Sequence, residues 1–341
     1  MASFEIRAAG PEDEEQVLAL ARHLNTVNLP NDRDHIQRLL EHSKKSFAGE
    51  LRSPNHGKYV FVLWDLEKKI AVGTSMIVAQ LGRRDAPYIY LDVIEEEKYS
   101  KTLDKHFHHQ VLRIGFSYKG PTEIGGLVVL PNYRAAKEKL GLLISYVRFV
   151  FIATHRDLFQ NEVLAELLPP LESDGTSHLW EALGRRFCDM SYAEADLLSS
   201  ENKEFVKDLF PTGLIHASLF SPEAQAVLGK VGAQTKGVER MLKRVGFRYA
   251  ERIDPFDGGP HFVAPTSEIT LVEETRKLKL IGPATGATKP GLVACEKGGP
   301  QGFRAIAGSF SPEGKDGVRL SADAIQHLEL GEGDEIVCLP I

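Results

Sequence analysis

The stretch that most constrains this chain is "GGLVVLPNYRAAKEKLGLLISYVRF", Gly125 to Phe149. An apolar run reaches Pro131, a polar loop with an arginine follows, and a long apolar segment comes next. Proline has no N–H for a ladder, so the run "IGGLVVLP" reads as a strand that ends there. The segment "GLLISYVRFVFIATH" reads as a helix, and it is shorter than the roughly 20 residues a membrane span needs. A strand running through a turn into a helix is a common phosphate-binding device, because the helix start presents backbone N–H groups. Yet this turn carries a single glycine, Gly141. The residues alone leave open whether it holds a phosphorylated ligand or only connects two elements.

The flanking sequence supplies the rest of an α/β domain. "FEIRAA" is a short strand, and "PEDEEQVLALARHL" is a helix with Pro11 near its start and acids in its first turn. "KYVFVLWDL" and "IAVGTSMIVAQLG" are β-rich runs around Glu67–Lys69, which predicts a hairpin. "NEVLAELL" is a further strand ended by Pro169 and Pro170, and "SHLWEALGRRF" is an amphipathic helix with Ser177 at its N-cap. Beyond Ser200, "GLIHASLF" reads as a strand, "SPEAQAVLGKV" as a helix and "KGVERMLKRVGFRYAERI" as a helix entering a strand. The endings "WEALGRRF" and "MLKRVGF" share a form that fits a duplicated α/β unit, although two short matches do not establish a repeat. Past Ile281 the texture turns to "GPATGATKPG", a linker, and then to a small β-rich tail. The expected division is an α/β domain over 1–200, a second α/β unit over 201–280 and a C-terminal β module over 281–341.

Composition excludes several classes. A net charge of -6 argues against a general nucleic-acid binder. No apolar run has membrane-spanning length, and from its opening residues no secretory signal is expected. Cys188, Cys295 and Cys338 are widely spaced, forming neither a disulfide framework nor a zinc pattern, and they suit a reducing cytoplasm. The cluster His106, His108 and His109 lacks carboxylate or cysteine neighbours at ligand spacing, so no metal site is expected.

The order of elements resembles the acyl-CoA N-acyltransferase (GNAT-like) fold. More narrowly, the chain resembles the arginine N-succinyltransferase family over nearly all its length. The segments that carry this are "SFAGEL", "YVFVLWDLE", "VGTSMIVA", "LWEALGRRFCDMSYAEADLLS", "SPEAQAVLGKV", "GFRYAERIDPFDGGP" and "LSADAIQHLELGEGDEIVCLPI", all collinear. The resemblance implies succinyl transfer from succinyl-CoA to the α-amino group of arginine, in arginine breakdown. It implies an acyl-CoA co-substrate without a permanently bound cofactor, and a homo- or hetero-oligomer. A catalytically silent homologue, serving as partner subunit or metabolite-binding protein, is the alternative.

The resemblance also points to residues. It puts coenzyme contacts on the backbone at Leu127, with Val128 and Val129 adjacent, and a phosphate turn between Arg134 and Gly141. The family turn is short and rich in glycine, whereas "RAAKEKLG" is two residues longer. Arg134 and Lys137, with Lys139, are expected to supply charge in place of glycine amides. The family's histidine acid falls at Gly232, in "VGAQT", so the proton must be carried elsewhere. His216, upstream of the same helix, is the first candidate, and His261 and His178 are further ones. Glu123 and Glu166 match family positions and are expected to bind a cationic acceptor or relay a proton. Glu95–Glu97 are a charge run that is either solvated or attracts a cation. Asp254 and Asp257, in "DPFDGGP", are weaker candidates beside turn glycines.

Overall fold

A computed structural model describes residues 2–23, 29–83, 86–172, 174–199, 202–286 and 288–341. The expected boundary at residues 200 and 201 lies outside the described residues. The chain forms two compact units: Met1–Gln80 with Thr122–Asn161 and Thr266–Ile341, and Leu81–Pro121 with Glu162–Pro265. Among the described residues no helix is long and apolar enough to cross a membrane.

In the first unit, strands Phe4–Ala8, Lys58–Asp65, Ile70–Val78 and Thr122–Val129 pair antiparallel in that order. The predicted hairpin is the pair Lys58–Asp65 and Ile70–Val78, and Lys69 takes its turn at φ 55°. The helix Arg33–Phe47 starts at Asp32, whose carboxylate accepts from the His35 amide at 2.7 Å. It buries Ile36, Leu39, Leu40 and Phe47, and the apolar helix Leu140–Thr154 buries eleven of its fifteen residues. Phe47, Tyr59, Phe61, Phe151 and Phe303 meet edge to face or tilted at 5.1–5.6 Å between ring centres.

The C-terminal strands belong to this unit. Arg276–Pro283, Lys289–Glu296, Phe303–Glu313, Gly317–Leu320 and Glu335–Pro340 close into a five-stranded barrel, since each pairs with two of the others. The expected linker is corrected here, because Ile281–Pro283 continue a strand and Lys289 already opens the next. Glycine and proline mark the barrel's corners, where a strand changes partners. The barrel joins the main sheet through Ile6 and Arg7, which pair with Ala305 and Arg304. Glu5 locks the junction: its carboxylate accepts two bonds from Arg304 and lies 2.7 Å from His327 Nε2.

In the second unit a sheet runs in the order Glu162–Glu166, Pro260–Pro265, Arg248–Ile253, Tyr88–Ser100, Lys105–Ser117 and Ile215–His216. The long hairpin of Tyr88–Ser100 and Lys105–Ser117 was not foreseen, because its charged run hides the alternation. Two sequence readings are corrected. "GLIHASLF" is a strand only at Ile215–His216 before a 3-10 turn. "SHLWEALGRRF" is two short helices, His178–Ala182 and Gly184–Cys188, broken at Leu183. Ser177 does cap the first, its hydroxyl accepting from the Trp180 amide. Trp180 is fully buried, stacks on Phe256 at 5.2 Å, and lies so close to Gly184 that no Cβ fits there.

Candidate active site

In the first unit, Leu127 sits on an interrupted strand. Thr74 pairs with Val128 and Met76 with Gly125, so Ser75 alone faces both Gly126 and Leu127. This is a β-bulge with glycine in the left-handed position, Gly126 at φ 56°. A Cβ at Gly126 would also lie 2.9 Å from Met76 Cγ. The bulge takes backbone groups at Leu127 out of the regular ladder, which is what recognition of a ligand amide requires. Val128 and Val129 return to the ladder against Thr74 and Gly73 and are buried.

The helix Leu140–Thr154 is fastened to this bulge. Ser75 Oγ donates to the Ile144 carbonyl at 2.7 Å. Arg148, 2% exposed, donates to Ser145 and reaches the Gly125 carbonyl at 3.5 Å. Burial pulls the Arg148 guanidinium down to about 9.

The turn before the helix differs from a glycine cradle. Lys139, the residue preceding the helix, adopts φ 54°, ψ 46°, a left-handed conformation that side chains rarely take. Amides of Ala136 and Lys139 bond carbonyls inside the turn. Arg134 is committed to the end of the bulged strand, its Nε donating to the Val129 carbonyl at 2.9 Å. Lys137 is exposed, and Gly141, the second residue of the helix, has no atom within 4 Å of where a Cβ would stand. The turn therefore offers two lysines and an open glycine at a helix N-terminus, where the dipole favours an anion. Glu123, at the start of the same strand, is buried and pairs with Val78.

In the second unit, Glu166 and His261 are direct cross-strand neighbours. His261 lies at a second bulge, because the register slips between Pro260 and Phe262 and Glu251 turns to φ 54° opposite. Its ring is fully buried, with Nδ1 2.8 Å from the Tyr88 hydroxyl and Nε2 3.4 Å from Glu166 Oε1. Burial, reinforced by Lys203 and Arg252, pulls its pKa down to about 3, so the imidazole is neutral at neutral pH.

Asp254 lies near it and belongs to a cluster of carboxylates. Asp254 Oδ1 accepts from the amides of Phe256 and Asp257 at 2.7 and 3.1 Å. Asp257 Oδ1 accepts from the Gly259 amide, and Tyr192 bonds the same carboxylate. Burial raises Asp254 against the pull of Lys203, and burial together with Asp254 raises Asp257 further. Asp196 is pushed up to about 7 by burial and by Asp254. Tyr88, Tyr192, Asp196 and Lys203 were not singled out from sequence. Tyr192 and Asp196 stand four apart on the helix Tyr192–Ser199, a spacing that puts both on one face, and this was the available signal.

His216 and His178 stand in plainer settings. His216 Nδ1 is 3.9 Å from Glu96 Oε2, and its ring meets His109 edge on. His178 Nε2 is 2.7 Å from Glu172. Of the charge run, Glu95 bonds Gln110 and Glu97 bonds His106 across the hairpin. Gly232 donates its amide to the Leu168 carbonyl at 2.8 Å, and a Cβ there would lie 2.7 Å from the Pro169 carbonyl oxygen. The backbone has closed around this glycine, leaving no room for a side chain.

The profile of the arginine N-succinyltransferase beta subunit matches residues 4–271, and that of its C-terminal domain matches residues 275–340. The chain belongs to the arginine N-succinyltransferase family. Relatives from Citrobacter koseri and Escherichia coli, each named arginine N-succinyltransferase, are 33% and 32% identical over 313 residues. Each alignment covers 91% of this chain and 89% of the relative. The arginine/ornithine succinyltransferase subunit AI from Pseudomonas aeruginosa superposes with a TM-score of 0.84 at 28% identity, over 100% of this chain and 99% of that one. The expected α/β GNAT-like fold is thereby borne out, and the chain is an acyl-CoA N-acyltransferase of this family's type.

Proposed function

We propose that this protein transfers the succinyl group of succinyl-CoA to the α-amino group of arginine, releasing coenzyme A and a succinylated amino acid. The observation that carries this reading is the bulge at Gly126–Leu127, at the position where the family resemblance sets pantetheine contacts. Amides freed from the ladder at Leu127 pair with the pantetheine chain, and Val128 and Val129 hold its rim. Lys137, Lys139 and the helix start at Gly141 face the pyrophosphate, while Arg134 stiffens the turn through Val129. The donor is a co-substrate, and no permanently bound cofactor is required for amide formation from a thioester.

The chemistry needs a proton removed from the acceptor ammonium and one supplied to the leaving thiolate. His216, partly exposed beside Glu96, is assigned to proton transfer. Glu123 and Glu166 are assigned to charge complementarity with the cationic acceptor and to proton relay through water. The name of the Pseudomonas aeruginosa relative adds ornithine as a second acceptor to consider. Function in arginine breakdown implies a cytoplasmic location and, by family likeness, an oligomer.

The test is thiol release from succinyl-CoA and acetyl-CoA by the purified protein with arginine, ornithine, lysine or no acceptor. Release that needs both succinyl-CoA and arginine supports the reading. Release with acetyl-CoA alone, or with an acceptor lacking an α-amino group, overturns it.

A further inference from the structure

The group of Glu166, Asp254 and His261 has features that acceptor binding does not explain. One donor atom from each, taken together, lies within 4.8 Å of the others. His261 is 0% exposed, yet its Nε2 has no hydrogen-bond partner among the described residues. A buried imidazole nitrogen without a partner forfeits its hydration with nothing in return, so it calls for an explanation. It points toward Glu166 Oε1 across 3.4 Å, too long for a good N–H···O bond. That separation fits a different geometry. Two ligands bound about 2.0–2.1 Å from a tetrahedral ion stand roughly 3.4 Å apart.

We propose that Glu166, Asp254 and His261 form a site for a divalent first-row transition-metal ion such as Zn(II). One imidazole and two carboxylates suit this class, whereas an ammonium or guanidinium gains little from an imidazole lone pair. The surroundings supply the orienting contacts such a site needs. Tyr88 sits on Nδ1 of the histidine, which sets Nε2 as the coordinating nitrogen. Two backbone amides hold Oδ1 of Asp254 and fix the plane of its carboxylate. His261 is placed by the bulge opposite Glu251, and Glu166 lies beside it on the paired strand. Three protein ligands leave a fourth tetrahedral position, as in sites that keep a water or a substrate atom. An ion held by these three residues would lower the pKa of a water in that position, and Glu166 would then act on the acceptor through that water rather than by direct charge contact. The binding claim stands apart from that assignment, and its test reads metal rather than turnover.

The full-length protein, stripped with a chelator and dialysed, is titrated with Zn(II) by calorimetry and its metal content measured after re-equilibration. One ion per chain is expected, with affinity reduced at least 100-fold in Glu166→Gln and in Asp254→Asn. Cobalt substitution adds a readout on the unaltered protein, in case a variant misfolds: visible d–d absorption is expected, and zinc abolishes it. No stoichiometric binding, binding indifferent to both substitutions, or absence of the cobalt bands overturns the proposal. Displacement of the ion by arginine at an equal number of sites also overturns it, since the group would then be an amine pocket.

Discussion

The hydroxyl of Ser75 donates to the carbonyl of Ile144 at 2.7 Å, from the one residue that faces the bulge. It ties the strand that defines the bulge to the helix that follows the turn. Ser75→Ala removes one buried hydrogen bond and should cost about 1 kcal/mol of stability. Looser seating of the helix should raise the Michaelis constant for succinyl-CoA several-fold while kcat changes little. Denaturant titration and saturation kinetics check both halves of this expectation.

Gly126→Ala addresses the bulge itself. The residue has φ 56°, and the added methyl meets Met76. Strain at a left-handed position with crowding should lower stability by about 2 kcal/mol. Coenzyme A should then protect the variant far less than the parent in a thermal-shift assay. Equal protection would mean that Leu127 backbone groups do not contact the coenzyme.

Gly232→His restores the residue that the family resemblance sets at this position. Its Cβ would strike the Pro169 carbonyl, a backbone atom that cannot swing aside. Overpacking of this kind costs about 3 kcal/mol. The variant should melt at lower temperature and gain no turnover over the parent. A gain in turnover would show that the segment at residues 168–169 moves to admit a side chain.

Legibility in the sequence followed local pattern. The strand–turn–helix at Gly125–Thr154 was readable because proline, apolar runs and helix length all agree there. The bulge was not, since it arises from a register slip between Ser75 and two residues on another strand. Glu166 and His261 were each picked out singly, yet the sequence separates them by 95 positions and only strand pairing makes them neighbours. The linker reading failed because Gly282 and Pro283 have turn chemistry but serve a barrel corner. Asp254 and Asp257 were named beside the turn glycines, whereas Asp196 was missed because only the fold brings the helix Tyr192–Ser199 to them.

The barrel junction should carry a pH signature. Burial pushes the Glu5 carboxyl upward, but bonds and charge from Arg304 and His327 outweigh this and hold it below the usual 4.5. A carboxylate with a depressed folded pKa stabilises fully above its unfolded value, and that contribution fades as pH falls through the folded one. Melting temperature should therefore drop on acidification below about pH 4.5 and less steeply in Glu5→Gln. At neutral pH the same variant should be less stable, because Arg304 loses the carboxylate that takes two of its hydrogen bonds. Parallel pH profiles for parent and variant would place the acid sensitivity elsewhere.

The most direct measurement is the identity of the product. The purified protein is incubated with succinyl-CoA and arginine labelled with 15N at the α-nitrogen, and the product is followed by mass spectrometry and NMR. We expect stoichiometric conversion to a succinyl-arginine whose α-nitrogen has become an amide, with the guanidinium unchanged. Succinylation at any other nitrogen, or hydrolysis of the thioester without amide formation, would contradict the assignment of this chain as an arginine N-succinyltransferase.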